Sequence, residues 1–419
     1  DKGPLWNIGN SLFPAGSLSD NKVTINSGNV SGDVYGNDVD AAFSPVSNNT
    51  VILSGGSVGG DILGGANNGA VTDNNVSISG FGSVLGSVYG GYGAAEGTVN
   101  GNDVSIFDSG SVTGNVLGGY SRSVNSHVIE NTVTISGGTV RDIYGGQSGK
   151  GNALNNSVTL DGANVIYGGR VEQGTARENA VVMKNGSVTL GIFGGIATAD
   201  GGQAQDNHVT MSGGSVGEHL IGGYVQNGSG AATGNSVIFN GGSVTENVYG
   251  GRSVNGPAQN NSVTMTNGSA NWLLGGYSAN GNVIGNSVNV SGGTLTGVSG
   301  GESNSGSATG NIVSISGGTV QSNVNGGFVA SGSGKATGNI VNISGNADLS
   351  GAVVAGGSSP DGDAFTDNTL NKNSDAAVHL ARNFASVNFG YSGTANIGEL
   401  DSTPTGSALS GVTVNTNAN

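Results

Sequence analysis

One pattern constrains this chain more than any other. Asn131–Gly146 reads N-T-V-T-I-S-G-G-T-V-R-D-I-Y-G-G. The same wording starts again at Asn21, Asn49, Asn74, Asn102, Asn156, Asn179, Asn207, Asn235, Asn261, Asn286, Asn311 and Asn339, in steps of 23 to 29 residues. Two residues after each Asn stands Val, from Val23 through Val133 to Val341, and four residues after it an apolar side chain such as Ile25, Met183 or Phe239. Self-similarity at this period means stacked supersecondary units, each unable to bury its apolar face alone. Strict alternation over N-x-V-x-I predicts a short strand with Val and Ile turned inward.

Two further strands are expected in each copy. A Gly-rich corner leads to a short one with a single inward residue (Val30, Val58, Val112, Val140, Val216, Val244, Val320). A polar corner then leads to a third, whose inward residue runs from Val34 and Ile62 to Val324 and Val354 and which two glycines usually close. Strands without helical patterns between them, at about 26 residues per turn, describe an all-β parallel β-helix of about thirteen coils and roughly triangular section; a propeller blade needs about 40–45 residues. The Asn column is expected to form an amide ladder from coil to coil. The residue before each Asn is always Asp, Asn, Glu or Gly, which is turn chemistry.

Composition narrows the rest. Glycine supplies 83 of 419 residues without a Gly-X-Y period, which excludes collagen and implies tight corners. A formal charge of −15 argues against nucleic acid or an anionic membrane as partner. There is no cysteine, hence no disulfide and no thiolate metal site. This suits a chain threaded unfolded across an oxidising periplasm. No stretch approaches the roughly 18 apolar residues that span a bilayer, so direct membrane insertion is not expected.

The domain expectation is an N-terminal cap over residues 1–19, in which Trp6 and Phe13 cover the first coil, then repeats over 20–357. Residues 358–419 are expected as a degenerate end of the solenoid, with a helical turn in Ser374–Asn383 and further strands at Phe384–Tyr391 and Leu409–Val414, leading to a downstream region not contained here.

Catalysis finds little footing. His127, His208, His219 and His379 are scattered, and Asp108-Ser109-Gly110-Ser111 is the corner of its coil, without a positioned His–Asp partner. No catalytic residue, cofactor or resident metal is expected. Asp361 and Asp363, with Asp367, leave a Ca²⁺ reading open beside that of a polar loop. Two surfaces are binding candidates. The outward residues of the first strand form a flat polar face, with Thr134, Thr159, Thr210 and Thr264 as self-association residues. The segments after the paired glycines are expected to leave the stack as one ridge of loops. It carries Tyr92, Tyr120, Arg170, Tyr224, Arg252 and Tyr277, whose aromatic faces suit sugar rings and whose arginines suit carboxylates. A second aromatic column (Tyr35, Tyr89, Tyr144, Tyr167, Phe193, Tyr249) reads as corner packing beside the core.

The repeat N-x-V-T-I-S-G-G-T-V-x-x-x-V-Y-G-G resembles the passenger repeats of large bacterial autotransporters. Asn368–Asn371 (N-T-L-N) with Phe384–Tyr391 (F-A-S-V-N-F-G-Y) is similar to the junction such passengers carry downstream. The resemblance implies a right-handed β-helix exposed on a bacterial cell surface or secreted, exported through a C-terminal outer-membrane barrel. Many such proteins are adhesins or self-associating factors of aggregation and biofilm, and others carry protease or esterase domains. Here no globular domain interrupts the repeat and no triad is visible. The expectation is therefore an adhesin with no enzymatic activity, whose partner is itself or a host glycan or matrix protein. The alternatives are a passive stalk or a polysaccharide-processing enzyme.

Overall fold

The computed structural model describes residues 5–8, 11–14, 18–37, 44–123, 125–391, 396–401 and 413–416, with backbone alone for 5–8, 11–14 and 413–416. Two compact units result, Asp1–Gln203 and Ala204–Asn419. Each is a β-solenoid whose strands stack in parallel from coil to coil, and no helix occurs among the described residues.

In the first unit the asparagine strand builds the first sheet, with Val23 beside Val51, Val51 beside Val76, and so on to Val158 beside Val181. In the second unit Val209 to Val341 stack the same way. Every valine of this column is at most 1% exposed. Burying each contributes roughly 1.5–3 kcal/mol. The second sheet carries the paired glycines, and its inward column (Val34, Ile62, Val88 and onward) is likewise fully buried. The expected short strand between them has no sheet of its own. In the first unit Val58 and Val84 extend the first sheet, while in the second unit strands such as Ser269–Ser278 and Thr319–Val329 run unbroken into the glycine sheet. Val30 and Val140, expected inside, are only partly buried.

The third sheet lies where loops were expected. It consists of two- or three-residue strands just before each Asn, among them Val71–Thr72, Val99–Asn100 and Ala153–Leu154 in the first unit and Ala232–Thr233 and Ala258–Gln259 in the second. Each turns one small side chain inward, and Val71, Val99, Val128, Ala153, Ala232, Ala258 and Ala308 are fully buried.

The asparagine ladder has a definite geometry. The Nδ2 of each Asn donates to the Oδ1 of the next at 2.8–2.9 Å from Asn21 to Asn179. From Asn207 to Asn368 the distances are 2.9–3.2 Å. The same Oδ1 accepts the backbone N–H of the preceding Asn, as Asn131 does for Asn102 at 3.0 Å. The second Nδ2 proton reaches a third-sheet carbonyl one coil back, as from Asn131 to Val99. The glycine pair exists to admit this amide. A Cβ on Gly119 would lie 2.5 Å from Asn131 Nδ2, and one on Gly118 would lie 2.6 Å from the Gly145 carbonyl oxygen in the next coil. The residue before each Asn is left-handed throughout, with φ of +52° to +59° at its Asp, Asn and Glu copies and +63° to +68° at Gly101, Gly234, Gly285, Gly310 and Gly338. Asp, Asn and Gly are the residues that tolerate this region best.

The end expected as degenerate still stacks: Asn368 is a further rung, making seven asparagines in each unit, with Leu370 in place of the column valine. The next coil is shortened, with Asn388 only 17 residues beyond its ladder partner Asn371. The segment expected as a helical turn contains the strand Val378–Arg382, which extends the glycine sheet beside Leu349–Ser358. At the other end Leu5–Ile8 and Ser11–Pro14 pair as an antiparallel hairpin, and Leu12 lies beside Val34 of the first coil. The side chains of Trp6 and Phe13 lie outside the described residues, as do residues 409–412 of the last expected strand.

Asn131→Ala should orphan the Asn102 backbone N–H and the Val99 carbonyl, at about 1–3 kcal/mol for each buried group, while the Asn102 Nδ2 keeps the Val71 and Asn100 carbonyls. Gly119→Ala should cost a similar amount by collision, and the double variant should lose less than the two singles summed, because the new methyl occupies the vacated amide site. Amide hydrogen exchange of the Asn102 and Asn131 strands measures this. Strictly additive losses would refute the pairing of glycine with asparagine.

Candidate functional site

The residues expected on a ridge of loops stand instead in the glycine sheet. Tyr92 lies within Val88–Gly93, Tyr120 within Val116–Ser121, Arg170 within Val165–Val171, Tyr224 within Leu220–Val225, Arg252 within Val248–Ser253 and Tyr277 within Ser269–Ser278. The strand does not stop at the glycines. It bends around the tucked asparagine and continues to the next inward position. The residue before the pair and the residue after it therefore both face outward, flanking the bend. The two aromatic columns are the two sides of one outer face.

In the first unit Tyr92 pairs in register with Tyr120, ring centroids 5.3 Å apart, and Tyr89 meets Tyr92 edge-on at 5.4 Å. Tyr144, Tyr167 and Phe193 stack on successive coils at 4.9 and 5.2 Å, their planes nearly parallel. Such contacts contribute about 0.5–1.5 kcal/mol each beyond area burial. Burial pushes the Tyr144 phenol up to about 12; burial, then the Asp33 carboxylate it hydrogen-bonds, does the same for Tyr35. These hydroxyls stay protonated near neutral pH. A cleft of about 380 Å³ opens between Tyr35, Leu63, Tyr89 and Tyr92, with Asp61 and Asn68 at its margin.

In the second unit Arg252 sits among three rings, its guanidinium carbon 5.0, 5.3 and 5.5 Å from the centroids of Tyr224, Tyr249 and Tyr277. The register continues from Tyr277 to Glu302 and Phe328. Next to them lies a larger cleft, about 530 Å³, lined by Asn247, Trp272, Glu302, Asn323, Phe328 and Arg382 among others. Burial pushes the Glu302 carboxyl up to about 7. The buried Nε atoms of Arg252 and Arg382 and the Oδ1 of Asn247 have no hydrogen-bond partner among the described residues.

The first-sheet candidates lie as expected on its outward side. Thr134 is exposed and pairs directly with the half-buried Thr159, while Thr210 and Thr264 are separated by Ile238. On this side of the second unit polar groups bond one another, from Asn388 to Asn371, Asn371 to Asn342 and Asn342 to Ser314. The His208 Nδ1 is 2.7 Å from the Ser236 hydroxyl at exposed positions of the same strands. Asp363 closes its own loop by accepting the Phe365 and Thr366 amides, and Asp367 is the left-handed residue before Asn368. Among the described residues no group of three or more His, Asp or Glu is placed to hold a metal ion.

Comparison with family models, with curated proteins and with solved structures returned no match. The site is therefore read from its own chemistry. Sequence reasoning passed over Trp272, Glu302, Asn323 and Arg382, although Glu302 stands in the tyrosine column and Trp272 is one of only two tryptophans in the chain.

The raised Glu302 carboxyl sets a sign for stability against pH. Between about 4.5, its ordinary value, and about 7, the unfolded chain ionises at this residue while the folded one does not. Stability should therefore fall as pH rises through that window and level off above it. Glu302→Gln should abolish this part of the dependence and raise the melting temperature at pH 8 more than at pH 5, as followed by thermal denaturation. An equal shift at both would show that Glu302 titrates normally.

Proposed function

We propose that this chain is an adhesive β-solenoid of a bacterial cell surface, exported through the outer membrane or secreted, which acts by binding and not by catalysis. The observation that carries this reading is the outer face of the glycine sheet. There Tyr89, Tyr92 and Tyr120 hold rings side by side on consecutive coils, on a rigid scaffold that fixes their spacing. Aromatic faces that carry hydroxyls suit a polar partner that also has apolar patches, such as a glycan or a matrix protein. The resemblance to autotransporter passenger repeats supports display at the surface, and the charge of −15 disfavours nucleic acid. Hydrolysis of a glycan would call for a pair of carboxylates, whereas the larger cleft is lined by the single carboxyl of Glu302.

A second reading, homotypic association through the first-sheet face, is favoured by its flat run of Ser, Thr and Asn with little charge. Each hydrogen bond there nets about 0.5–1.5 kcal/mol, and alignment between two displayed copies adds avidity. Screening of the negative charge should then strengthen association as salt rises.

The two are separated on cells displaying the chain. Tyr92→Ser with Tyr120→Ser should reduce adhesion or clumping at unchanged display. Joint replacement of Thr134, Thr159, Thr210 and Thr264 by Asp should leave it intact if the glycine-sheet face is the contact. Loss with the threonine set alone would transfer the function to the first-sheet face. Retention with both sets would refute both of these contacts, and cells that display the unaltered chain without adhering would reduce it to a passive stalk.

A further inference from the structure

The outer face of the second unit changes character partway along. On the column before the glycines, Tyr249 and Leu274 are followed by Ser299, Asn325, Ala355 and Arg382, each beside the next in register. Bulk gives way to small and polar groups, and the result is the cleft of about 530 Å³, within the usual range of ligand sites. On one side stands Trp272. Its register partner is Gly297, where a Cβ would lie 2.6 Å from the indole ring, so this glycine lets the indole rest on the sheet. On the other side stand Glu302 and Phe328, neighbours in register.

We propose that this cleft is a binding site for an uncharged oligosaccharide, seated between Trp272 and Phe328 and held through its hydroxyls by Asn247, Asn323, Glu302 and Arg382. The proposal rests on the adhesive reading only in taking the glycine-sheet face as the contact surface. Four features of the cleft select this ligand class. Aromatic side chains on both sides suit the C–H faces of pyranose rings. Amides, a guanidinium and a carboxyl offer donors and acceptors in adjacent pairs, as vicinal hydroxyls require. Two of these side chains keep a buried atom with no partner among the described residues, Asn247 Oδ1 and Arg382 Nε, a cost that a small rotation toward a ligand hydroxyl would relieve. The coils repeat at about 4.8 Å, close to the rise of one sugar unit in an extended polysaccharide, so successive sugars can meet successive coils alike.

Other ligands fit less well. An anionic sugar or phosphate would meet Glu302 and the strongly negative chain, and Asp401 stands beside Arg382 in register. A purely apolar ligand would leave the amides and the guanidinium unpaired. A divalent cation would find one carboxyl in the lining. An added peptide strand needs a free sheet edge, and this cleft lies on a sheet face.

The test is titration of the purified chain with neutral gluco-, manno-, xylo- and chito-oligosaccharides of two to six units and with oligouronates, followed by calorimetry and tryptophan fluorescence. One neutral series should bind, more tightly with each added unit until the cleft is filled, and above any oligouronate. Trp272→Ala and Asn323→Ala should each weaken binding about tenfold or more, as loss of a central anchor does. Trp272→Phe should retain part of it, and amide exchange should show the glycine sheet intact in every variant. The inference is overturned if no neutral series binds, if oligouronates bind better, or if both alanine variants fold and bind normally. A chain that binds none of these sugars but still makes cells adhere refutes this site and leaves the adhesive reading standing. Sugar binding by a chain that confers no adhesion refutes the adhesive reading alone.

Discussion

The side-chain amide of one asparagine per coil, tucked against the second of two glycines, is the interaction on which the rest depends. It forces three local choices at once. The glycine must lack a side chain, because a Cβ on Gly119 would collide with Asn131. The residue before the asparagine must turn left-handed, as Glu130 does with φ of +56°. The Oδ1 must accept from the coil on one side while Nδ2 donates onward, so each amide bonds its neighbours on both sides. A buried amide with all its groups paired is stable where it is and costly anywhere else. The ladder therefore fixes the register as well as holding the coils together, and a coil slipped by one residue would bury unpaired amides.

That constraint decides where variation is allowed. Between the asparagine and the glycine pair each copy must return to the same point. Both arms vary in length, from 12 to 17 residues between the asparagine and the first glycine of the pair and from 10 to 13 between that glycine and the next asparagine. The residues flanking the glycine bend are held by backbone on both sides yet face outward, so they combine rigidity with freedom of identity. In the first unit these positions include Tyr89, Tyr92, Tyr120, Tyr144, Tyr167 and Arg170, and in the second Tyr224, Tyr249, Arg252, Tyr277, Glu302 and Phe328. Sites of recognition carried on strands in this way lose little conformational entropy on binding.

How much of this is legible in the sequence follows from the strength of each signal. The N-x-V-x-I strand announces itself through period-two alternation repeated coil after coil, and its inward column is buried without exception. The ladder is visible because an invariant polar residue beside a core strand needs a partner. The third sheet is not visible. A strand of two residues has no period, and its single inward side chain, often alanine as in Ala153 or Ala232, is too small to stand out. Placing Tyr92 and Tyr120 on loops followed from taking the glycine pair as a stop, when it is a bend made for Asn102 and Asn131. The fourteenth rung was obscured by Leu370 and by Lys372, which occupies an inward position filled by Ile343 in the preceding coil. Lys372 is tolerated there because its Nζ donates to the Ser374 carbonyl and lies 5.1 Å from the Tyr391 ring. The cleft beside Trp272 is a property of six adjacent coils, and no single repeat contains its pattern.

The balance between the two outward faces can be argued from how each spends its polar groups. On the first sheet of the second unit, side-chain amides and hydroxyls bond to one another along the stack, from Asn388 through Asn371 and Asn342 to Ser314. A partner binding there would have to break or share those bonds, with small net gain. On the glycine sheet the rings of Tyr224, Tyr249 and Tyr277 gather around Arg252, whose Nε is buried and unpaired among the described residues, and the same holds for Arg382 Nε and Asn247 Oδ1 beside the large cleft. Groups left in that state raise the energy of the free protein and lower the cost of ordering a partner that pairs with them. Satisfied polar ladders leave a surface little to gain from a partner, whereas unsatisfied groups beside aromatic rings leave it more. By that physical distinction the proposed contact belongs on the glycine-sheet face rather than on the first sheet.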